Sequence, residues 1–111
     1  MAVQTIQRKE LLRAALNSHN VTDVDIREIT LAPSQQSGRH LHPCAVVGYI
    51  ASGSAQMQIE GQPVQALPEG SAFYEPAQTV IASFGNASET EPMTFIAFYL
   101  LNGQQDLIQM L

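Results

Sequence analysis

Two histidines separated by one residue, His40-Leu41-His42, are the densest cluster of chemistry-bearing side chains in this sequence. In an extended strand, residues two apart leave the same face, so both imidazoles can converge on one point. Imidazole nitrogens ligate first-row divalent ions, which makes His-x-His a candidate half of a metal site. The chain holds 3 histidines, so on spacing alone the alternative is a pair of surface histidines beside a loop. No other catalytic pattern stands out. There is no G-x-S-x-G, no glycine-rich phosphate loop and no C-x-x-C, and the order of Ser, His and acidic residues suggests no triad. Tyr49, Tyr74 and Tyr99 read most simply as strand residues.

The elements that must position these histidines read as strands. Val24 to Leu31 contains β-branched residues in loose alternation, as in a half-buried strand. A polar loop from Pro33 to Gly38 leads into His40 and His42, and the apolar run Ala45 to Ala51 closes at Gly53. Ala55, Met57 and Ile59 then alternate with polar neighbours at a period of two. Glu60-Gly61-Gln62 is a hairpin turn candidate, with Pro63 to Leu67 as the returning strand. Pro68-Glu69-Gly70 turns the chain into a short strand from Ser71 to Glu75, and Thr79 to Phe84 follows Pro76. Met93 to Leu101 is apolar at nearly every position, as expected of a central buried strand. Ile6 to Leu16 has a helical stripe of its own, but its all-strand context favours an extended edge segment. Short strands roughly 8–12 residues apart with Gly, Pro and Asn turns predict one all-β sandwich or barrel domain. Its parts are an edge segment (1–23), a core (24–101) and a tail (102–111) that packs back on the core or against a second subunit.

Composition narrows the functions. A chain of 111 residues, 45% hydrophobic and 14% charged, fits one domain with a real core. The net charge of −5 and the scattered Arg8, Lys9, Arg13, Arg27 and Arg39 argue against nucleic acid as a partner. The lone Cys44 excludes a disulfide framework within the chain. Arg8-Lys9-Glu10 falls where a signal peptide would be apolar, and the longest apolar run, Phe95 to Leu101, is far short of a membrane span. A cytoplasmic protein without a membrane partner is the expectation.

The stretch from His40-x-His42-Pro43 through Gly48-Tyr49-Ile50 to Gly53 resembles the first motif of the cupin superfamily. Gly70, Phe73-Tyr74-Glu75-Pro76 and Asn86 resemble the second, so that the likeness runs from about Val24 to Leu101. This resemblance implies a small jelly-roll barrel, a double-stranded β-helix, and a homodimer. It also implies a metal held by two histidines and a glutamate of the first motif and a histidine of the second. Aligned on the motif glycines and Pro76, the glutamate falls on Val46 and the later histidine on Ile81. The opening glycine falls on Ser34, a later one on Gln78, and the motif asparagine on Gly85, one place before Asn86. By this alignment His40 and His42 alone keep ligand character, and two imidazoles hold an ion weakly, facing an apolar wall with no carboxylate. Glu75 and Cys44 are the available substitutes. Glu75, before a proline at a strand end, reads as a solvated or hydrogen-bonded carboxylate, and Cys44 as a small semi-buried thiol.

Alternation from the two histidines sketches an interior of Val46, Gly48, Ile50, Ala55, Met57, Ile59 and Ile81, closed by the Phe95–Leu101 strand. Such a lining suits a small, mostly apolar ligand whose polar group meets His40 or His42, with Val46, Met57 and Ile81 as further contacts. The bland counterpart is a barrel packed solid with side chains. Small-molecule binding without a complete metal site and with no resident cofactor is the preferred expectation. The competing expectations are a metal-dependent dioxygenase- or isomerase-like enzyme using His40, His42 and an unconventional ligand, and a non-catalytic scaffold dimer. The sequence assigns no reaction.

Overall fold

The computed structural model describes residues 5–111. It contains nine strands and, among the described residues, no helix. They are β1 (Asp23–Leu31), β2 (His40–Leu41), β3 (Ala45–Ser52), β4 (Ala55–Ile59), β5 (Gln65–Leu67), β6 (Ala72–Glu75), β7 (Ile81–Asn86), β8 (Met93–Leu101) and β9 (Gln109–Met110). Two antiparallel sheets result, one in the order β1-β8-β3-β6 and the other β5-β4-β7-β2-β9. No helix is long and apolar enough to cross a membrane.

The core follows the period of two. On β8, Met93, Phe95, Ala97 and Tyr99 are buried, while Thr94, Ile96, Phe98 and Leu100 are half-buried on the other face. With them in the core are Ala45, Val46, Gly48 and Ile50 of β3, Ala55 and Met57 of β4, Phe73 of β6, and Ile81 and Phe84 of β7, with Leu31 and Leu67 at its margins. The apolar run around Phe95 is central, as its sequence predicts, because β8 pairs with both β1 and β3.

The expected all-β jelly roll is present, but its strands do not close into one continuous barrel. The strand ladders stop at β1 and β6 in one sheet and at β5 and β9 in the other, so the sheets face each other as a jelly-roll sandwich. The physical reason lies at the corner after β3. A register shift between Ile50 and Ser52, followed by Gly53 at a φ of 79°, turns the chain out of one sheet and into β4 of the other. A Cβ at Gly53 would stand 2.6 Å from the Met93 side chain, so the corner also depends on a missing side chain. Asn86 pins the far end of the sandwich. Buried at the end of β7, its Nδ2 donates to the carbonyls of Ala32 (3.1 Å) and Glu91 (2.7 Å), while its Oδ1 accepts from the Ser88 amide.

The N-terminal stretch enters neither sheet. Residues 5–22 carry no strand, and Leu11 and Leu12 stay partly exposed above the outer face of β3 and β8. A charged Arg8-Lys9-Glu10 triplet offers that segment little to bury, which explains why the expected edge pairing does not form. At the other end β9 pairs with β2, placing the tail directly against the histidine strand.

Candidate metal centre

His40 lies on β2 and His42 just beyond it, in the five-stranded sheet. Glu75 ends β6, at the edge of the four-stranded sheet. All three side chains point into the space between the sheets, with residue exposures of 2%, 4% and 3%. The Glu75 Oε2 stands 2.5 Å from His42 Nε2 and 3.8 Å from His40 Nε2. One ligating atom from each residue lies within 4.8 Å of the others, the one such grouping of ligand-type side chains among the described residues.

The backbone sets the tautomers. His40 Nδ1 donates to the Gly38 carbonyl at 2.8 Å, and His42 Nδ1 donates to the Leu107 carbonyl at 2.6 Å. With both Nδ1–H groups so engaged, a neutral ring presents its Nε2 lone pair inward, and both lone pairs face the same carboxylate. Three acceptors aimed at one small volume need a positive charge among them. Protons serve in the metal-free protein, and a divalent cation fits the same donors. The two rings pack edge to face, with centroids 4.9 Å apart at 78°, an arrangement that lets two nitrogens approach one point from different directions.

The local electrostatics agree. Burial pushes the Glu75 carboxyl up, but hydrogen bonds from His40 and His42 and their charges outweigh it and hold the group below the usual carboxylate range. Burial pushes His40 down, yet the Glu75 hydrogen bond, the Gly38 carbonyl and the Glu75 charge together lift it above an ordinary histidine. Tyr99, stacked edge-on against His42 at 5.8 Å, is raised first by burial and then by the Glu75 charge, so it stays a neutral phenol.

A cavity of about 160 Å³ opens beside the three donors. Val46, Phe73, Phe84, Phe95, Ala97 and Tyr99 form much of its wall. Of the residues singled out from sequence, His40, His42 and Val46 line this cavity. Met57 and Ile81 do not, because both are packed in the core. Ile81 is the cross-strand partner of His40, so it backs the site from within the sheet. Cys44 is buried as a small thiol on another hollow, beside Pro43 and Ala77, and stands outside the donor group.

Of the two sequence-based readings of Glu75, solvated or hydrogen-bonded, the structure shows the second. It is a buried carboxylate against both imidazoles, and with it the candidate donor group has three members rather than two. The pairing register explains how. Val46, where the motif alignment puts the missing glutamate, is the direct cross-strand partner of Glu75, and such partners share one face of a sheet. A carboxylate at position 75 therefore faces the same way as one at position 46 would. Alternation held the signal that alignment lost, because Glu75 is two residues from the core residue Phe73 and must share its face.

Comparison with known proteins accords with this architecture. No curated protein matches the sequence. Among solved structures, the DMSP lyase DddQ from Ruegeria pomeroyi is similar at 15% identity and a TM-score of 0.68, over 78% of this chain and 42% of that one. A cupin-like protein from Thermotoga maritima is similar at 20% identity and a TM-score of 0.66, over 76% and 63%. The polyketide cyclase RemF from Streptomyces resistomycificus is similar at 15% identity and a TM-score of 0.62, over 78% and 58%. The chain spans less than two thirds of each of these structures, and the likeness is one of fold. A family model described as the cupin domain matches residues 27–99, a span that holds both histidines, Glu75 and seven residues in nine of β8, and the chain therefore belongs to the cupin domain family.

Proposed function

We propose that this protein holds a divalent first-row transition metal through His40 Nε2, His42 Nε2 and one oxygen of Glu75, and binds a small molecule beside it. The observation that carries this reading is the commitment of both Nδ1 atoms to backbone carbonyls, which leaves three converging acceptors. Two histidines and one carboxylate with open positions form a donor set suited to Fe(II), Mn(II), Ni(II) or Zn(II). When bound, such an ion acts as a Lewis acid toward an oxygen of the ligand. The chain's own groups do the rest. The Gly38 and Leu107 carbonyls fix the ring orientations, and Glu75 offsets one unit of the ion's charge. The apolar wall keeps water away, with the Tyr99 ring packed edge-on against His42.

Elemental analysis of protein purified without a polyhistidine tag tests the proposal. Near-stoichiometric transition metal that survives dialysis, and is lost from a His40→Ala/His42→Ala variant, is the expected result. Protein that retains no metal after incubation with each of the four ions and dialysis returns the chain to a ligand-binding cupin without a metal.

The outer face of the four-stranded sheet supports a second element of the proposal, a homodimer. Val24 and Ile26, on the edge strand β1, are 53% and 60% exposed, a strip of bulky apolar surface that a second copy would cover.

A further inference from the structure

The cavity beside the three donors has a size and a lining that specify more than an apolar ligand. Its volume is about 160 Å³. An apolar protein cavity of roughly 150 Å³ accommodates one benzene molecule, which puts this cavity on the scale of a single six-membered ring. Phe73, Phe84 and Phe95 all line it, and they pack on one another at tilted or edge-on angles with centroids 4.8–5.9 Å apart. Aromatic rings meet a further ring favourably in such tilted arrangements, so three of them at one cavity form a receptor for a flat aromatic group. The alternation that faces Phe73 and Glu75 the same way sets the carboxylate two residues along the strand from this aromatic wall.

Charge fixes the other end of the ligand. No Lys or Arg lines the cavity. Two neutral imidazoles and one carboxylate around a divalent ion leave one unit of positive charge, which an anionic oxygen neutralises. On the reading of the donors as a metal centre, on which this step rests, we infer that the ligand class is a single-ring aromatic compound carrying one anionic oxygen substituent, a benzoate-like acid or a phenolate. The ring lies against Phe73, Phe84 and Phe95, and the oxygen completes the coordination of the metal. Fused bicyclic rings exceed the space, and an acid without a ring leaves the aromatic wall unused.

The test uses the full chain loaded with Co(II), whose visible absorption reports both the metal and any oxygen that joins it. Benzoate, acetate and 2-naphthoate are titrated in turn. Benzoate is expected to change the cobalt spectrum at concentrations about 10- to 100-fold below acetate, the difference that burying one ring supplies. 2-Naphthoate is expected to bind no better than acetate. Ala97→Leu adds bulk to the cavity wall away from the donors, and it is expected to abolish the benzoate advantage while cobalt stays bound. Retention of the cobalt spectrum itself shows that a variant is folded at the site. Cobalt binding with benzoate no tighter than acetate, or with 2-naphthoate as tight as benzoate, overturns this inference and leaves the metal reading standing. Failure of cobalt to bind the unmodified chain overturns the metal reading and this inference with it.

Discussion

Glu75 is the residue on which the chemistry turns, because without it two imidazoles face an apolar wall. Glu75→Gln keeps the shape and removes the charge. Loss of a group that merely orients a ligand costs about 10–100-fold in metal affinity, so loss of a direct donor should cost at least about 100-fold, read by competition with a chromophoric chelator. The cross-strand register allows a sharper test. Val46→Glu combined with Glu75→Val puts the carboxylate back on the strand partner, on the same sheet face. The double variant should recover most of the metal binding that Glu75→Val alone loses. If it recovers none, positions 46 and 75 are not equivalent places for a ligating carboxylate. The same trio dictates opposite pH responses with and without an ion. In the metal-free protein, the raised His40 contributes stability that is fully present below its ordinary value of 6.5 and is lost as pH climbs from there through the folded value. The lowered Glu75 contributes stability present above its ordinary 4.5 and lost as pH falls through the folded value. Thermal unfolding of metal-free protein should therefore show its greatest contribution from this cluster between pH 4.5 and 6.5. Metal affinity should instead rise with pH above 6.5, since the raised His40 must shed its proton to bind.

Among the elements, the short terminal strand has consequences out of proportion to its length. β9 pairs with β2 through His40↔Met110 and Leu41↔Gln109, and the Leu107 carbonyl just before it accepts the His42 Nδ1 proton. Removing residues 106–111 should leave the sandwich folded, because the fully buried Ile50, Met57, Ile81 and Met93 lie elsewhere, yet weaken metal binding about 10–100-fold. Leu107→Ala keeps the carbonyl and should change the affinity little, which separates ring orientation from packing. Gly48 is a second element-scale constraint. A Cβ there would stand 2.2 Å from the Phe73 ring and 2.7 Å from the Ile96 carbonyl, so Gly48→Ala should lower stability by about 1–3 kcal/mol in denaturant unfolding. These elements also show what sequence could and could not disclose. β4 and β8 are legible to the residue, because alternation or an unbroken apolar run leaves one interpretation. The two-residue β9 is not, since pairing that short has no periodicity to display, whereas the extended reading of the histidine stretch holds for His40–Leu41. Spacing put both histidines on one face but left a surface pair open, and their burial decides for the interior. Glu75 was among the available substitutes, and its distance from Phe73 is what places it on the inner face. The open sandwich depends on a register shift at the β3 corner, a tertiary feature that no local pattern encodes.

At the scale of the whole molecule, the chain is more extended than its length requires. Its radius of gyration is 15.3 Å, against about 13 Å for a compact domain of this size, and residues 5–22 run outside both sheets. An isolated chain has little reason to hold such a segment over its outer face with Leu11 and Leu12 partly in water, nor to leave Val24 and Ile26 on an unpaired edge strand. The proposed second copy would account for both features at once. Packing two outer faces together would bury the β1 strip and give each N-terminal segment a partner surface. Sedimentation velocity should then report a particle of twice the 12.1 kDa chain mass. Val24→Lys with Ile26→Lys places two charges on the strip and should return the protein to a monomer, with the metal content unchanged because the donors lie on the inner face. A particle of single-chain mass at all concentrations would rule out the dimer. A dimer indifferent to both lysines would move the interface away from β1, and since β6 and Glu75 form the opposite edge of that sheet, pairing there would tie assembly to the metal centre.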